Sequence, residues 1–173
     1  MIANRVNRIK PSFTLEMATK AAEMRSKGID VINFSVGEPD FNTPEHICDA
    51  AKNAIDNGYT KYTAGPGMIE ARQAICKKLE RDNGLYYKPK NVLISNGEKQ
   101  SLFTACQALF NPGDRVIVFT PYWVSFPEFV RMADAEPVLI NTLANNNYEP
   151  DFDALNKKNK KNIKGVIINS PSN

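Results

Sequence analysis

Apolar positions set out two rhythms along this chain, a helical one first and shorter extended runs later. From Thr14 to Lys27, the residues Leu15, Ala18, Ala22 and Met24 fall on one side of a 3.6-residue period. Gly28 follows as a C-terminal stop, so the stretch predicts a helix. Val31 to Val36 is a short extended run that ends in the turn Gly37-Glu38-Pro39-Asp40. Thr43-Pro44 reads as a helix start, with Thr as cap and Pro in the first turn; that helix runs to Asn57 and stops at Gly58. A loop from Tyr59 to Pro66 leads to a third helix, Met68 to Asp82, stopped at Gly84.

From Asn91 the rhythm changes. Val92 to Ser95 predicts a strand, followed at once by Asn96-Gly97 and an apolar helix from Gln100 to Phe110. Asn111-Pro112-Gly113-Asp114 is a turn, Arg115 to Thr120 a strand, and Pro121-Tyr122-Trp123 breaks it. A helix from Ser125 to Ala133, a strand from Pro137 to Thr142, a loop at Asn145 to Asn147 and a short helix from Asp151 to Lys158 follow. Gly165 to Ser170 predicts a last, apolar strand. Strands alternating with helices imply βαβ units, an α/β fold and a parallel, buried sheet. The sequence has no internal repeat, and Lys157 to Lys161 reads as a solvated helix end. The chain stops at Ser170-Pro171-Ser172-Asn173, straight after a strand that needs covering on both faces. The expectation is a fragment, halted where a doubly wound sheet places its ligands, beyond the C-terminal ends of the strands.

Composition narrows the class. The 173 residues carry 22 Lys+Arg against 19 Asp+Glu, a net charge of +3, with 42% hydrophobic and 24% charged residues. These are globular values that exclude disorder of the whole chain, and at this length about 70% of the unfolded surface can be buried. One domain is the starting expectation. The charge is too small to argue for nucleic acid. No apolar run approaches the ~20 residues that span a bilayer. The start, MIANRVNRIK, has no apolar stretch for secretion and little serine for organelle import, so a cytoplasmic location and no membrane partner are expected.

Candidate chemistry comes mostly from turns. Cys48, Cys76 and Cys106 are widely spaced and His46 is the one histidine, which is too few ligands for a zinc site; three buried, reduced thiols are expected. A Cys–His pair or a serine triad would have to use His46, and no G-x-S-x-G is present. The predicted strand-turn-helix at Ile94 to Gln100 is the best ligand candidate. Gly97 suits a tight or left-handed turn, and the amides of Glu98, Lys99 and Gln100 would be free donors of a helix start that attracts phosphate. A plain turn before a helix is the competing reading. Gly65-Pro66-Gly67 opens an apparent G-x-G-x-x-G, but position 70 is Glu and no strand precedes it, so the dinucleotide fingerprint fails. Trp123, just past a strand end, is open to core, rim or stacking roles.

Together the turns form a succession: S-V-G-E-P-D-F-x-T-P at 35–44, K-Y-x-x-x-x-G at 61–67, S-N-G-E-K-Q at 95–100, P-G-D-x-V-I-V-x-x-P-Y-W at 112–123 and N-S-P-S-N at 169–173. It resembles the class I aminotransferases, fold-type-I enzymes that use pyridoxal 5′-phosphate, and among them the bacterial-type aspartate aminotransferases. The resemblance runs from Lys10 to Asn173. It implies an N-terminal arm with part of the small domain at 1–45, and at 46–173 the first part of a mostly parallel-sheet, cofactor-binding large domain, with the sheet incomplete. It implies amino-group transfer between L-aspartate and 2-oxoglutarate in a homodimer that shares its active sites. By this resemblance Gly37 contacts the substrate α-carboxylate, and Tyr62 reaches the cofactor phosphate of the other subunit. Gly97, Glu98 and Lys99 form the phosphate turn, Trp123 stacks on the pyridine ring, and Asn173 bonds the ring's phenolic oxygen. Trp123 and Asn173 thus also border the substrate, while Ser12, Thr14 and Lys99 match positions that recognise its distal carboxylate. Glu98 departs from the small residue usual in the family. The family's Schiff-base lysine, its aspartate and its carboxylate-clamping arginine match no residue up to 173, so no catalytic residue is expected here. Aromatic or prephenate aminotransferases and carbon–sulfur lyases share the fold; Pro121-Tyr122-Trp123 and Lys99 favour the aspartate group, and Lys10 lies near the segment that bears on prephenate. A non-catalytic α/β module binding a phosphate ligand or a partner protein is the reading from another class.

Overall fold

A computed structural model describes residues 2–35, 37–157 and 161–172. In chain order they form α1 (Phe13–Ser26), α2 (Glu45–Asp56), α3 (Ile69–Asn83), α4 (Gly97–Leu109), β1 (Arg115–Thr120), α5 (Ser125–Met132), β2 (Glu136–Asn141), α6 (Phe152–Lys157) and β3 (Ile163–Ile167). The chain divides into two compact units, Met1–Val36 with Leu102–Asn173, and Gly37–Ser101.

The first unit is organised by its sheet, in the order β2-β1-β3, with both neighbours parallel to β1. Asn111-Pro112-Gly113-Asp114 launches β1. Pro112 sits second and Gly113 third with φ +85°, while the Asp114 amide donates to the Asn111 carbonyl at 3.0 Å. The buried Asp114 carboxylate also accepts the Asn111 amide at 2.8 Å, which fixes the turn from both ends. β1 itself reads Arg-Val-Ile-Val-Phe-Thr, and both of its faces are covered. Val116 and Val118 pack on Val130, Phe126 and Phe129 of α5 and, through Cys106, on α4. Ile117 points the other way, with Val138, Ile140, Leu155 of α6 and Ile163. This is why β1 shows a continuous apolar run and not an alternating one. Arg115 and its register partner Glu136 form an ion pair at 3.2 Å across β1 and β2. At the α5–β2 turn, Asp134 adopts a φ of +59° and pairs with Arg8 and, at 3.6 Å, with Arg5, tying down the N-terminal segment.

The second unit has no fully buried residue among those described. Arg72, Cys76 and Leu79 make the half-buried face of α3, which packs against a short 3-10 turn at Pro89–Asn91. Gly84 closes α3 in the left-handed conformation with φ +64°, as its sequence position predicts.

Several sequence expectations are corrected. Val31 to Ser35 pairs with no strand; Ile32 is 80% and Phe34 93% exposed, and Val36 lies outside the described residues. Val92 to Ser95 likewise joins no sheet among the described residues; its backbone reaches a distant segment through Ile94 N–H to Pro66 O at 3.0 Å. An apolar run becomes a strand only where a neighbour offers its ladder. α4 begins at Gly97, three residues before the predicted start at Gln100, because Gly97 turns the chain directly into the helix. The last strand is Ile163–Ile167, not 165–170: its ladder starts where β1 starts, Arg115 opposite Ile163, and ends opposite Val118. Pro44, without side-chain help from Thr43, precedes α2. Asn145 to Asn147 lies largely in a 3-10 turn, Ala144–Asn146. The predicted end of α6 at Lys158 and most of the basic run, 158–160, fall outside the described residues. Of the three cysteines, only Cys106 is buried.

Burial pushes the Cys106 thiol above its ordinary range. The native state then keeps its proton at a pH where the unfolded chain releases it. This thiol therefore lowers stability progressively as pH rises past the unfolded value of about 8.5 and has no effect well below it. Thiol-reagent labelling at mildly alkaline pH is expected to modify Cys48 and Cys76 first and Cys106 only on unfolding; prompt native labelling of Cys106 would contradict its place between α4 and β1.

Candidate functional site

The parallel sheet directs its C-terminal ends to one edge, and there a cleft of about 450 Å³ opens. Thr120, Pro121 and Tyr122 follow β1, Thr142 follows β2, and Asn169, Ser170 and Ser172 follow β3; Tyr148 folds over from the loop beyond β2. The rim is hydrogen-bonded. The Thr142 hydroxyl donates to the Thr120 carbonyl, the Thr142 amide to Thr120 Oγ1 at 3.3 Å, and Thr120 Oγ1 to Asn141 Oδ1 at 3.4 Å. These bonds lock the ends of β1 and β2 together where the chain leaves the sheet. Asn147 and Tyr148 are consecutive left-handed residues, φ +49° and +56°, and this double turn brings Tyr148 back to the cleft.

Trp123 stands half-buried just after this edge. Its indole meets Phe126 edge-on, centroids 5.5 Å apart, and Phe129 at 5.9 Å. Both contacts set the plane of the ring against the α4–α5 core. Tyr122 borders the strand-end cleft and also a second one of about 490 Å³, which it shares with Lys10, Ser12 and Phe13 of the N-terminal segment and Arg131 of α5. The Ser12 hydroxyl accepts the Leu15 amide at 3.5 Å and so caps α1; Thr14 sits half-buried in the first turn of that helix. Asn173 lies outside the described residues, two positions beyond Pro171 and next to Ser172 of the cleft.

In the other unit, Gly97 has a φ of +78°, with open space where a Cβ would stand. The turn before it is internally bonded: Gly97 N–H donates to Ser95 O at 2.9 Å, Asn96 N–H to Gln100 Oε1 at 2.6 Å, and the Ser95 and Ser101 hydroxyls meet. The next amides, of Glu98 and Lys99, open α4 and face out of its N-terminal end, as at any helix start. The Glu98 side chain is exposed. Tyr62 is fully exposed at 107% and borders a shallow cleft of about 380 Å³ with Lys61 and Arg72. Gly37 is exposed, with an ordinary φ and nothing near its missing Cβ. No group of three or more His, Cys, Asp or Glu among the described residues is placed to hold a metal ion, and no helix there is long and apolar enough to cross a membrane.

The structure thus gathers Lys10 and Ser12 beside Tyr122, and Asn169 to Ser172 beside Thr120 and Tyr122. Thr142 and Tyr148 were not singled out from sequence, and Tyr122 was read only within Pro121-Tyr122-Trp123, not as a site residue. Tyr122 and Thr142 carried a signal, since the first follows a predicted strand and the second ends one; Tyr148 carried none, because its position depends on two left-handed residues in a loop.

Comparison with known proteins gives consistent results. A family model described as "Aminotransferase class I and II" matches residues 29–173. The chain is 47% identical to the aspartate aminotransferase of Bacillus sp. (strain YM-2), covering 100% of this chain and 44% of that protein. It is 41% identical to the aspartate/prephenate aminotransferase of Thermus thermophilus, covering 99% and 45%. The solved structure titled aspartate aminotransferase from Thermus thermophilus with maleate superposes with a TM-score of 0.94 at 41% identity, covering 100% of this chain and 45% of that one. The chain therefore spans less than half the length of these relatives.

The two site glycines differ in what a side chain would do. Gly97→Ala meets no atom but must hold a left-handed backbone, so a loss of about 1–2 kcal/mol is expected in denaturant unfolding. Gly37→Ala needs no such conformation and is expected to shift stability by no more than about 0.5 kcal/mol. Equal effects would mean that Gly97 is not held left-handed.

Proposed function

Since this chain belongs to the class I and II aminotransferase family, we propose that the full-length protein transfers an amino group between L-aspartate and 2-oxoglutarate with pyridoxal 5′-phosphate. The observation that carries this reading is the 47% identity to an aspartate aminotransferase along the entire chain. In this reading residues 1–45 form the N-terminal arm and part of the small domain, and 46–173 begin the cofactor-binding large domain. The protein works as a cytoplasmic homodimer, with small amino and 2-oxo acids as its partners.

The residues present suit the cofactor. A left-handed glycine followed by helix-start amides offers a phosphate several donors and no titrating group, and the one nearby carboxylate, Glu98, is exposed. When bound, pyridoxal phosphate supplies an electron sink for charge developing at the amino acid's α-carbon. Gly97, Glu98 and Lys99 hold its phosphate through the backbone. Trp123, its plane set by Phe126 and Phe129, presents an aromatic face that keeps a stacked ring from tilting. Asn173 donates to the ring's phenolic oxygen and favours its anionic form. Gly37 offers its backbone to the substrate α-carboxylate, and the exposed Tyr62 reaches the phosphate of the partner subunit. Ser12, Thr14 and Lys99 receive the distal carboxylate, with Lys99 as the cation. Acceptance of prephenate is a second reading, favoured by the 41% identity to an aspartate/prephenate aminotransferase.

The full-length protein is expected to be yellow and active with aspartate and 2-oxoglutarate; a colourless, inactive product would favour a non-catalytic module. A Lys99–carboxylate pair in a closed site is worth about 1.5–3 kcal/mol, which is roughly ten- to hundredfold in kcat/KM. Lys99→Ala is therefore expected to cost aspartate that factor while sparing an apolar amino acid. Equal losses for both substrates would assign Lys99 to another task.

A further inference from the structure

Arg72 lies near the start of α3, half-buried, and its guanidinium works on backbone only. Nε donates to the Gly67 carbonyl at 3.1 Å and Nη1 to the Pro89 carbonyl at 3.1 Å. Among the described residues it has no carboxylate within ion-pair distance. A neutral side chain could satisfy either carbonyl; the planar guanidinium satisfies both in fixed directions. The segment it holds is the one against which residues 92–95 rest. Pro66 O accepts the Ile94 amide at 3.0 Å. Gly67 has a φ of +97°, and the Ile94 side chain lies 3.0–3.2 Å from the place a Cβ on Gly67 would occupy, so the two segments are in close contact and a side chain at 67 would press on Ile94. Beyond Ile94 every link to α4 is bonded: Ser95 Oγ donates to Gly97 O at 3.2 Å, and Asn96 N–H to Gln100 Oε1 at 2.6 Å. An unbroken series of contacts thus runs from Arg72 through Gly67 and Ile94 to the turn at Gly97.

We propose that Arg72 is a positioning residue for the phosphate turn, fixing where the amides of residues 97–99 stand through the Gly67–Ile94 contact. The proposal rests on the cofactor reading above and adds to it a residue that touches neither cofactor nor substrate. The same brace holds the end of the loop that carries Tyr62, so one side chain sets the placement of both phosphate-directed segments of this unit. Arg81, further along α3, pairs on the surface with its neighbour Asp82 at 2.5 Å and serves as a control.

The test uses the full-length protein as wild type, Arg72→Ala, Arg72→Lys and Arg81→Ala. It reads two quantities: amide hydrogen exchange in residues 92–101 of the cofactor-free form, and pyridoxal phosphate affinity from absorbance titration of that form. Arg72→Ala is expected to speed exchange in 92–101 and weaken cofactor binding about tenfold or more, the loss that removing an orienting partner brings. Arg72→Lys, able to reach one carbonyl, is expected to fall between, and Arg81→Ala to match wild type. Unchanged exchange overturns the proposal. So does faster exchange with unchanged affinity, which would make the brace purely structural. If Arg72→Ala does not fold, wild-type affinity in Arg72→Lys overturns it as well. A wild type that binds no pyridoxal phosphate refutes the function and with it the positioning role, while the exchange data still show whether the brace exists.

Discussion

Within the first unit, β1 is the strand on which the other elements depend. It is hydrogen-bonded along both edges and packed on both faces, so its six residues set the register of β2 and β3 and the seats of α5 and α6. A parallel strand cannot be reached by a tight hairpin, so each neighbour arrives by a long connection that must cross a face of the sheet. The crossing helices hide the apolar side chains, and all strand C-termini arrive on the same edge. The cleft at Thr120, Thr142 and Asn169 follows from that geometry without any residue being placed there for its own sake. Chemistry is then added by what comes directly after each strand: Pro-Tyr-Trp after β1, Thr142 after β2, and Asn-Ser-Pro-Ser after β3.

The second unit relies on a different means. It has no strand among its described residues and no fully buried side chain, so hydrophobic burial holds it weakly. Directed hydrogen bonds take over. Arg72 joins two carbonyls, Asn96 and Gln100 close the turn before α4, and glycines at 67, 84 and 97 adopt conformations that other residues resist. The proposed phosphate turn suits this construction, because backbone donors are aimed by the chain path and do not change protonation with pH. In the proposed reading, the exposed Glu98 does not obstruct the turn, since the donors would be in the backbone.

What the sequence alone determined was local. The turn Asn111 to Asp114, the stop at Gly84, the span of β1 and the break at Pro121 each follow from residues a few positions apart, and the structure reproduces them. The motif succession identified the family because it records short turns in order, and turns are specified by their own glycines and prolines. Tertiary structure decided what depends on a partner. Val31 to Ser35 and Val92 to Ser95 have the composition of strands but lack, among the described residues, a neighbouring strand, and without one there is no ladder to form. β3 was displaced toward its N-terminus because its ladder begins where β1 begins, with Ile163 opposite Arg115. Tyr148 reached the cleft through two left-handed residues that no periodicity announces, and Ser12, read as a substrate contact, took the additional task of capping α1. Arg72 looked like any surface arginine of a helix until the fold placed Gly67 and Pro89 within its reach. Local patterns fix conformation through short-range sterics and hydrogen bonds, whereas which distant segment supplies the other half of a contact is settled only when the chain has packed.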